Sequence, residues 1–326
     1  MKTQSQSKDK HINFLKKLRE SATIRIALIL LVLCVFLAIA EGKAFLTNEN
    51  LLSVFRQFSF IGIMAIGECL VIITGGIDLS VGSIFAFSGV IGSLAMTSWG
   101  LGFILGLIVG LVAGAGFGLI NGLLITKLKL PPFIATLGTM SIARGLSYAV
   151  TKGYPVSDMP DAFKFIGQGH ILGIPAPIIL LIIVTIIIGI FLHLTITGRR
   201  IFAIGGNEEA SRVSGISVKK EKILVYTLCG LLAGLAGLAT AARLNVAQST
   251  AGAGSEMDAI AAVIIGGASL SGGVGNVAGP ILGAAIMGVL RNGLVLMSVS
   301  AYWQQTVIGI VIIVAVTIDK MRYEKL

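Results

Sequence analysis

Apolar residues in this chain come in long blocks separated by short polar breaks, and the blocks do not alternate in the manner of a half-buried strand. Ile178 to Leu192 is apolar almost without interruption, which argues against the period-2 pattern of a membrane β-barrel and for helices. A helix satisfies its own backbone hydrogen bonds, so roughly 20 mainly apolar residues suffice to cross a bilayer. Reading the blocks between breaks predicts spans near 24–40, 59–74, 79–97, 101–126, 133–151, 178–197, 223–242, 258–270, 277–297 and 303–319. Two of them, 59–74 and 258–270, are short, so each is either a full span or a partial, broken helix.

Composition agrees with the pattern. A chain that is 55% hydrophobic and only 12% charged does not describe a soluble fold, and a bilayer must supply the solvent. The fold class is therefore all-α: a polytopic transmembrane helical protein of about ten spans. The net charge of +10 does not point to nucleic acid, because the basic residues gather at termini and loops rather than on one face. Under a ten-span count Lys16, Lys17, Arg25, Lys127, Lys129, Arg199, Arg200, Lys219, Lys220, Lys320 and Arg322 all fall on one side. The positive-inside rule makes that side the cytoplasm, with both termini on it.

This divides the chain into a cytoplasmic N-terminal segment 1–23, a single membrane domain 24–320 that includes the loop 198–222, and a cytoplasmic tail 321–326. Ile12, Phe14, Leu15 and Leu18 beside Lys16, Lys17 and Arg19 suggest a short helix lying on an anionic membrane surface. The run Ile26 to Leu37 followed by Ala38-Ile39-Ala40 imitates a cleaved signal peptide. The long charged leader before it favours an uncleaved first span.

A weak internal repeat accompanies the spans. Gly75-Gly76-Ile77-Asp78-Leu79-Ser80 aligns with Gly266-Gly267-Ala268-Ser269-Leu270-Ser271 at an offset that also matches Gly82 with Gly273 and Gly92 with Gly283. Both copies would run in the same direction through the membrane, which predicts a parallel repeat. The fourth span carries Gly102, Gly106, Gly110, Gly114, Gly118 and Gly122 at one-turn spacing. Such a row lets two helix backbones approach closely where no hydrophobic force acts between helices, so it is expected to pack rather than to touch substrate.

Catalytic and metal signatures are missing. There is no G-x-x-x-x-G-K-[ST] phosphate loop and no H-E-x-x-H, and His11, His170 and His193 are scattered. Cys34, Cys69 and Cys229 sit singly in apolar stretches, as small buried thiols do. Leu270-Ser271-Gly272-Gly273 spells the start of the nucleotide-facing signature of ATP-binding-cassette ATPases. Between two spans and without a phosphate loop it cannot face ATP, so its glycines are assigned to a helix break. The largest cytoplasmic loop, 198–222, has Asn207 placed to cap a short helix, Glu208 and Glu209 in its positive first turn, and Gly215 to end it. With apolar Ile201, Phe202, Ile204 and Val213 it suits a groove on a cytosolic partner.

Three stretches together identify a family. Ile73-Thr74-Gly75-Gly76-Ile77-Asp78-Leu79-Ser80-Val81-Gly82-Ser83, Ala203-Ile204-Gly205-Gly206-Asn207-Glu208-Glu209-Ala210, and Glu256-Met257-Asp258-Ala259-Ile260-Ala261-Ala262-Val263-Ile264-Ile265-Gly266-Gly267 closely resemble the ribose-type permeases of bacterial ATP-binding-cassette sugar importers. The resemblance covers nearly the whole chain. It implies an inner-membrane permease without enzymatic activity or cofactor of its own. It further implies a second permease copy or close paralogue, an extracytoplasmic sugar-binding protein, and a cytosolic ATPase that carries ATP and Mg. That ATPase would engage the loop residues Gly205, Gly206, Asn207, Glu208, Glu209, Ala210, Arg212 and Gly215 as a coupling helix. The sugar, ribose or a related monosaccharide, stays open, since Glu68 is a carboxylate where the ribose permeases are expected to be uncharged.

Ionisable groups inside a membrane are functional candidates by default. Asp78 is placed to cap the helix that follows it through the Ser80 or Val81 amide, or to line a pathway; Glu68 either meets sugar hydroxyls or pairs with a neighbouring helix. Gly75, Gly76, Ser80, Gly266, Gly267 and Ser269 complete the candidate helix-break or pathway set. Arg243, Glu256 and Asp258 fall near the outer end of their spans, where a structural ion pair is expected. Rival readings are a permease for another metabolite such as a branched-chain amino acid, an ion-coupled secondary transporter, and a channel; the last two would work without an ATPase. Proton relays usually hold several paired ionisable groups within the spans, and here few lie deep in them.

Overall fold

The computed structural model describes residues 22–323, and the surface-helix expectation for Ile12 to Arg19 lies outside them. Among the described residues the chain folds into thirteen helices and four two-residue strands. The helices are α1 Ala22–Ala40, α2 Asn48–Ile73, α3 Val81–Thr97, α4 Gly102–Thr126, α5 Pro132–Thr151, α6 Asp161–Gln168, α7 Ala176–Leu194, α8 Ile196–Gly206, α9 Glu208–Val213, α10 Val218–Leu244, α11 Ser255–Ile265, α12 Ala278–Leu296 and α13 Ala301–Tyr323. Six of them, α1, α2, α4, α7, α10 and α12, are long and apolar enough to cross a bilayer, and α3 is a shorter apolar helix.

The two short predicted spans separate into different structures. The block 59–74 is the buried end of α2, a full 26-residue helix whose first turns carry Glu49, Arg56 and Gln57 and so were not legible as membrane-spanning. The block 258–270 holds the 11-residue α11, about 16 Å of helix, which is half a bilayer. It is a broken element.

α2 is the centre of the molecule. From Phe58 to Ile73 every residue is buried, enclosed by α10, α11, α12 and α7. α1 and α7, by contrast, expose Leu28, Ile29, Val32, Phe36, Ile183, Ile186 and Ile187. Large aliphatic surfaces of that kind face lipid in a membrane protein rather than water. On the far side α3, α4 and α10 form a tight trio.

Two small β pairs lie between the helices. β1 (Val156–Ser157) pairs antiparallel with β4 (Val246–Ala247), and β2 (His170–Ile171) with β3 (Ile174–Pro175). Leu172 and Gly173 join the latter pair with φ of 53° and 82°, the two left-handed residues of a type I′ turn. The first pair ties the loop after α5 to the segment after α10.

Candidate functional site

α2 ends at Thr74, whose amide bonds back to Val71, and Gly75 then takes φ 76°. A left-handed residue after a helix is cheap only for glycine. The chain next turns through Asp78. One carboxylate oxygen of Asp78 accepts from the Ser80 amide at 2.9 Å and from the Ser80 hydroxyl at 2.5 Å. Asn121 of α4 donates to both Asp78 oxygens at 3.2 and 3.3 Å and to the Ser80 hydroxyl at 2.8 Å, and accepts from Thr139 of α5 at 2.6 Å. The Asp78 amide itself donates to Glu68 at 3.0 Å. Glu68, Asp78, Ser80, Asn121 and Thr139 are all buried. The network locks the break between α2 and α3 against α4 and α5.

Of the two sequence roles for each acid, the geometry gives Asp78 the helix-break contact through Ser80, and it sets Glu68 against the same loop rather than against open space. Tyr226 of α10 lies beside Gly76, where any Cβ would collide with its hydroxyl. Cys229 and Cys69 are buried near Glu68, with Cys229 Sγ 3.8 Å from a Glu68 oxygen.

The second break follows α11. Gly266 ends the helix and Gly267 takes φ 86°. Ser269, aligned with Asp78 in the repeat, likewise accepts from the amide two residues on, that of Ser271 at 3.2 Å. The left-handed glycine is one position out of that alignment, at Gly267 rather than Gly266. The following helix also starts later, at Ala278. Gly272 and Gly273, the signature-like glycines, both have positive φ and close this longer break.

The two breaks meet. Gly273 donates its amide to the Ile73 carbonyl at 2.9 Å. Gly205, at the end of α8, is wedged against both, so that a Cβ there would overlap the Ile73 oxygen and the Gly273 nitrogen, whereas a Cβ at Gly206 would meet nothing within 4 Å. Beyond this wedge Asn207 caps α9 by accepting from the Ala210 amide at 2.8 Å, and Gly215 ends it at φ 84°. Glu208 pairs with Lys222 at 2.6 Å and with Arg212 at 3.0 Å, while Glu209 takes the second Arg212 nitrogen at 2.8 Å. The Lys222 hydrogen bond, then the charges of Lys222 and Arg212, hold the Glu208 carboxyl below the usual carboxylate range.

The expected apolar docking face of this loop needs correction. Ile201 and Ile204 are 0% and 2% exposed, because they fasten α8 to the membrane body. Phe202 is half-buried, and Val213, at 83% exposed, is the one of the four that stands in the open.

The glycine row behaves as packing from its second member onward. A Cβ at Gly106, Gly110, Gly114, Gly118 or Gly122 would strike α3 or α10, whereas Gly102 starts α4 with open space around it. Of the three outer charges, Asp258 meets the expectation of a structural ion pair, while Arg243 and Glu256 make other contacts. Asp258 is buried and pairs with Arg291 at 2.6 Å, Arg243 lies over the Phe60 ring, and the Glu256 carboxylate abuts Gly82 in the first turn of α3.

Comparison with known proteins places this assembly. Residues 50–316 match the family described as branched-chain amino acid transport system / permease component. The chain is 46% identical over 283 residues to the ribose import permease RbsC of Bacillus subtilis, covering 86% of this chain and 88% of that one. It is 43% identical over 299 residues to RbsC of Escherichia coli K12, covering 90% and 93%. With the D-allose permease AlsC of the same organism the identity is 37% over 277 residues, 85% of each chain. The chain belongs to the ribose-type permeases of ATP-binding-cassette importers. No solved structure matches it.

Sequence reasoning about this permease missed Asn121, Thr139 and Arg144. Asn121 stands beside Gly122 in the glycine row and Arg144 is the one cation of the 133–151 block, so a polar residue facing a packed neighbour was the available signal. Arg144 donates to the carbonyls of Ser249 at 2.5 Å, Ala251 at 2.8 Å and Gly82 at 3.4 Å.

Proposed function

We propose that this chain is the membrane-spanning subunit of an importer for a small monosaccharide, ribose or a close relative, driven by a separate cytosolic ATPase. The observation that carries the reading is the wedge at Gly205. The loop expected to dock on an ATPase touches both helix breaks at once, so a displacement of α9 reaches the buried Glu68–Asp78–Asn121 network through backbone contact rather than through flexible side chains. Packed backbones have discrete arrangements, and a partner that favours one of them shifts the population between inward- and outward-open states. The permease does no chemistry itself.

Both termini and the 198–222 loop are cytoplasmic in this reading, the bilayer is the bacterial inner membrane, and a binding protein delivers sugar at the other face. Two permease chains form the pathway, this chain with a second copy or a close paralogue. Relatives named for ribose and allose favour a sugar over a branched-chain amino acid. The test is reconstitution in lipid vesicles with the partner ATPase and binding protein, measuring uptake of labelled ribose, allose and leucine with and without ATP. ATP-dependent uptake of a pentose or hexose supports the reading; uptake without the ATPase, or of leucine in place of sugar, overturns it.

A further inference from the structure

Between α10 and α11 the chain does something that lipid does not permit on its own. After Asn245 it turns back and runs without helix to Gly254. Ala247, Gln248 and Ala251 return alongside Gly237 and Ala241 of α10, where with Phe85 they line a small half-open cavity of about 30 Å³. Gly237 stands about 10 Å inside the end of α10 at roughly 1.5 Å per residue. Gly252 goes further, against the Gly82 carbonyl and the Phe85 ring, at the start of α3. Non-helical backbone at such depth exists only where it is enclosed by protein or lines water.

Part of the segment is enclosed. Arg144 satisfies the Ser249 and Ala251 carbonyls and reaches that of Gly82. One turn further along α5 the Ser249 hydroxyl donates to the Ser147 carbonyl at 2.9 Å, and a turn beyond that it lies 2.8 Å from the Thr151 hydroxyl. α5 thus holds the segment as a strap along one face. The rest is not enclosed: Gln248 and Thr250 are exposed, and so are Ser141, Gly145 and Tyr148 of α5. A Cβ at Gly145 would meet nothing within 4 Å. α5 has the length of a span but is not among the six helices long and apolar enough to cross a bilayer. Uncharged amide, hydroxyl and phenol groups over open space at membrane depth are what a monosaccharide needs, hydrogen-bond partners for its hydroxyls and an aromatic face.

We infer that the strap 248–254 and the Ser141–Tyr148 face of α5 line the sugar's path, with Gln248, Thr250 and Tyr148 as contact residues and Arg144 as the positioning residue that holds the strap. The inference rests on the importer reading above. It goes beyond it by moving the path away from the buried Glu68–Asp78 break, which then serves as the transmission and not as the sugar site.

The experiment is thiol labelling of the full assembly in lipid. Gln248→Cys and Thr250→Cys are each treated with a charged, membrane-impermeant methanethiosulfonate and compared with the parent chain and with Ile187→Cys on the lipid-facing side of α7. Both strap positions should react at least about tenfold faster than Ile187→Cys in one nucleotide state, and the adduct at Thr250→Cys should block uptake. Arg144→Leu should lose about tenfold or more of the uptake, the scale of losing charge-assisted hydrogen bonds, at unchanged membrane abundance. Arg144→Lys should recover part of it. Labelling at both strap positions as slow as at Ile187→Cys in every nucleotide state, while the parent chain takes up sugar with ATP, overturns the path and leaves the importer reading intact. Uptake without the ATPase overturns the importer reading, whatever the labelling result.

Discussion

The amide of Gly273 donates to the carbonyl of Ile73 at 2.9 Å, joining the break after α11 to the end of α2 and leaving between them and α8 a gap that only a glycine fills. Gly205 is that glycine. Gly205→Ala forces a methyl into two backbones that cannot rotate away, an overpacking on the order of 1–3 kcal/mol, at the point where α8 meets both breaks. Uptake and sugar-stimulated ATP hydrolysis should fall together in the reconstituted assembly. Gly206→Ala, one residue on and with nothing within 4 Å of the added Cβ, should match the parent chain. Equal activity of the two variants would show that the wedge transmits nothing.

A similar pair tests the trio of α3, α4 and α10. At Gly114 a side chain meets the Gly230 carbonyl at 2.5 Å and the Ser88 hydroxyl at 2.9 Å, whereas at Gly116 there is open space. Gly114→Leu should separate the helices and lower both thermal stability and membrane abundance, since no solvent effect replaces lost packing in lipid. Gly116→Leu should leave both unchanged, helped slightly by its better helix propensity. The measurement is the detergent-solubilised melting temperature of each variant.

These contrasts also show which features were legible in the sequence. The cap at Asn207, the stop at Gly215 and the turn at Asp78 depend on residues within a few positions, and local chemistry predicted them correctly. The burial of Ile201 and Ile204 depends on what α8 lies against, so an apolar pattern alone suggested a partner groove where the membrane body was the partner. The contact between Glu68 and the Asp78 amide, the pairing of Asp258 with Arg291 and the fork of Arg144 join segments distant in sequence. Hydropathy blocks carry no information about which helix faces which. α2 looked short because Asn48, Glu49, Asn50, Ser53, Arg56 and Gln57 interrupt the apolar residues of its first turns, although the helix is continuous.

Asp78 offers a test of charge against hydrogen bonding. It accepts from Ser80 twice and from Asn121, and it has no cation partner among the described residues. Asp78→Asn keeps an acceptor for the Ser80 amide, and a flip of the Asn121 amide then gives the new NH₂ group an oxygen while Thr139 accepts in turn. Asp78→Leu strands those donors in a dry interior, at about 1–3 kcal/mol each. Asn should therefore retain part of the uptake and Leu none, at comparable expression. Equal uptake by all three proteins would remove Asp78 from the mechanism.

The α9 loop should respond to acid through Glu208. Its carboxyl is held below the usual range chiefly by the Lys222 hydrogen bond, so the folded loop binds a proton less readily than the unfolded chain does. A depressed carboxylate contributes order that is fully present above its unfolded pKa, about 4.3, and is lost as pH falls through the lower folded value. Glu208→Gln removes that contribution at every pH. Amide hydrogen exchange across residues 207–215 should therefore be faster in Glu208→Gln than in the parent chain at neutral pH. The difference should shrink as pH falls and vanish below the folded pKa, where both side chains are neutral. Because the pair is partly exposed, salt should narrow the neutral-pH gap as well. A gap that is constant across the acid range would mean that Glu208 acts by packing alone, and the ion pair to Lys222 would have no part in ordering α9.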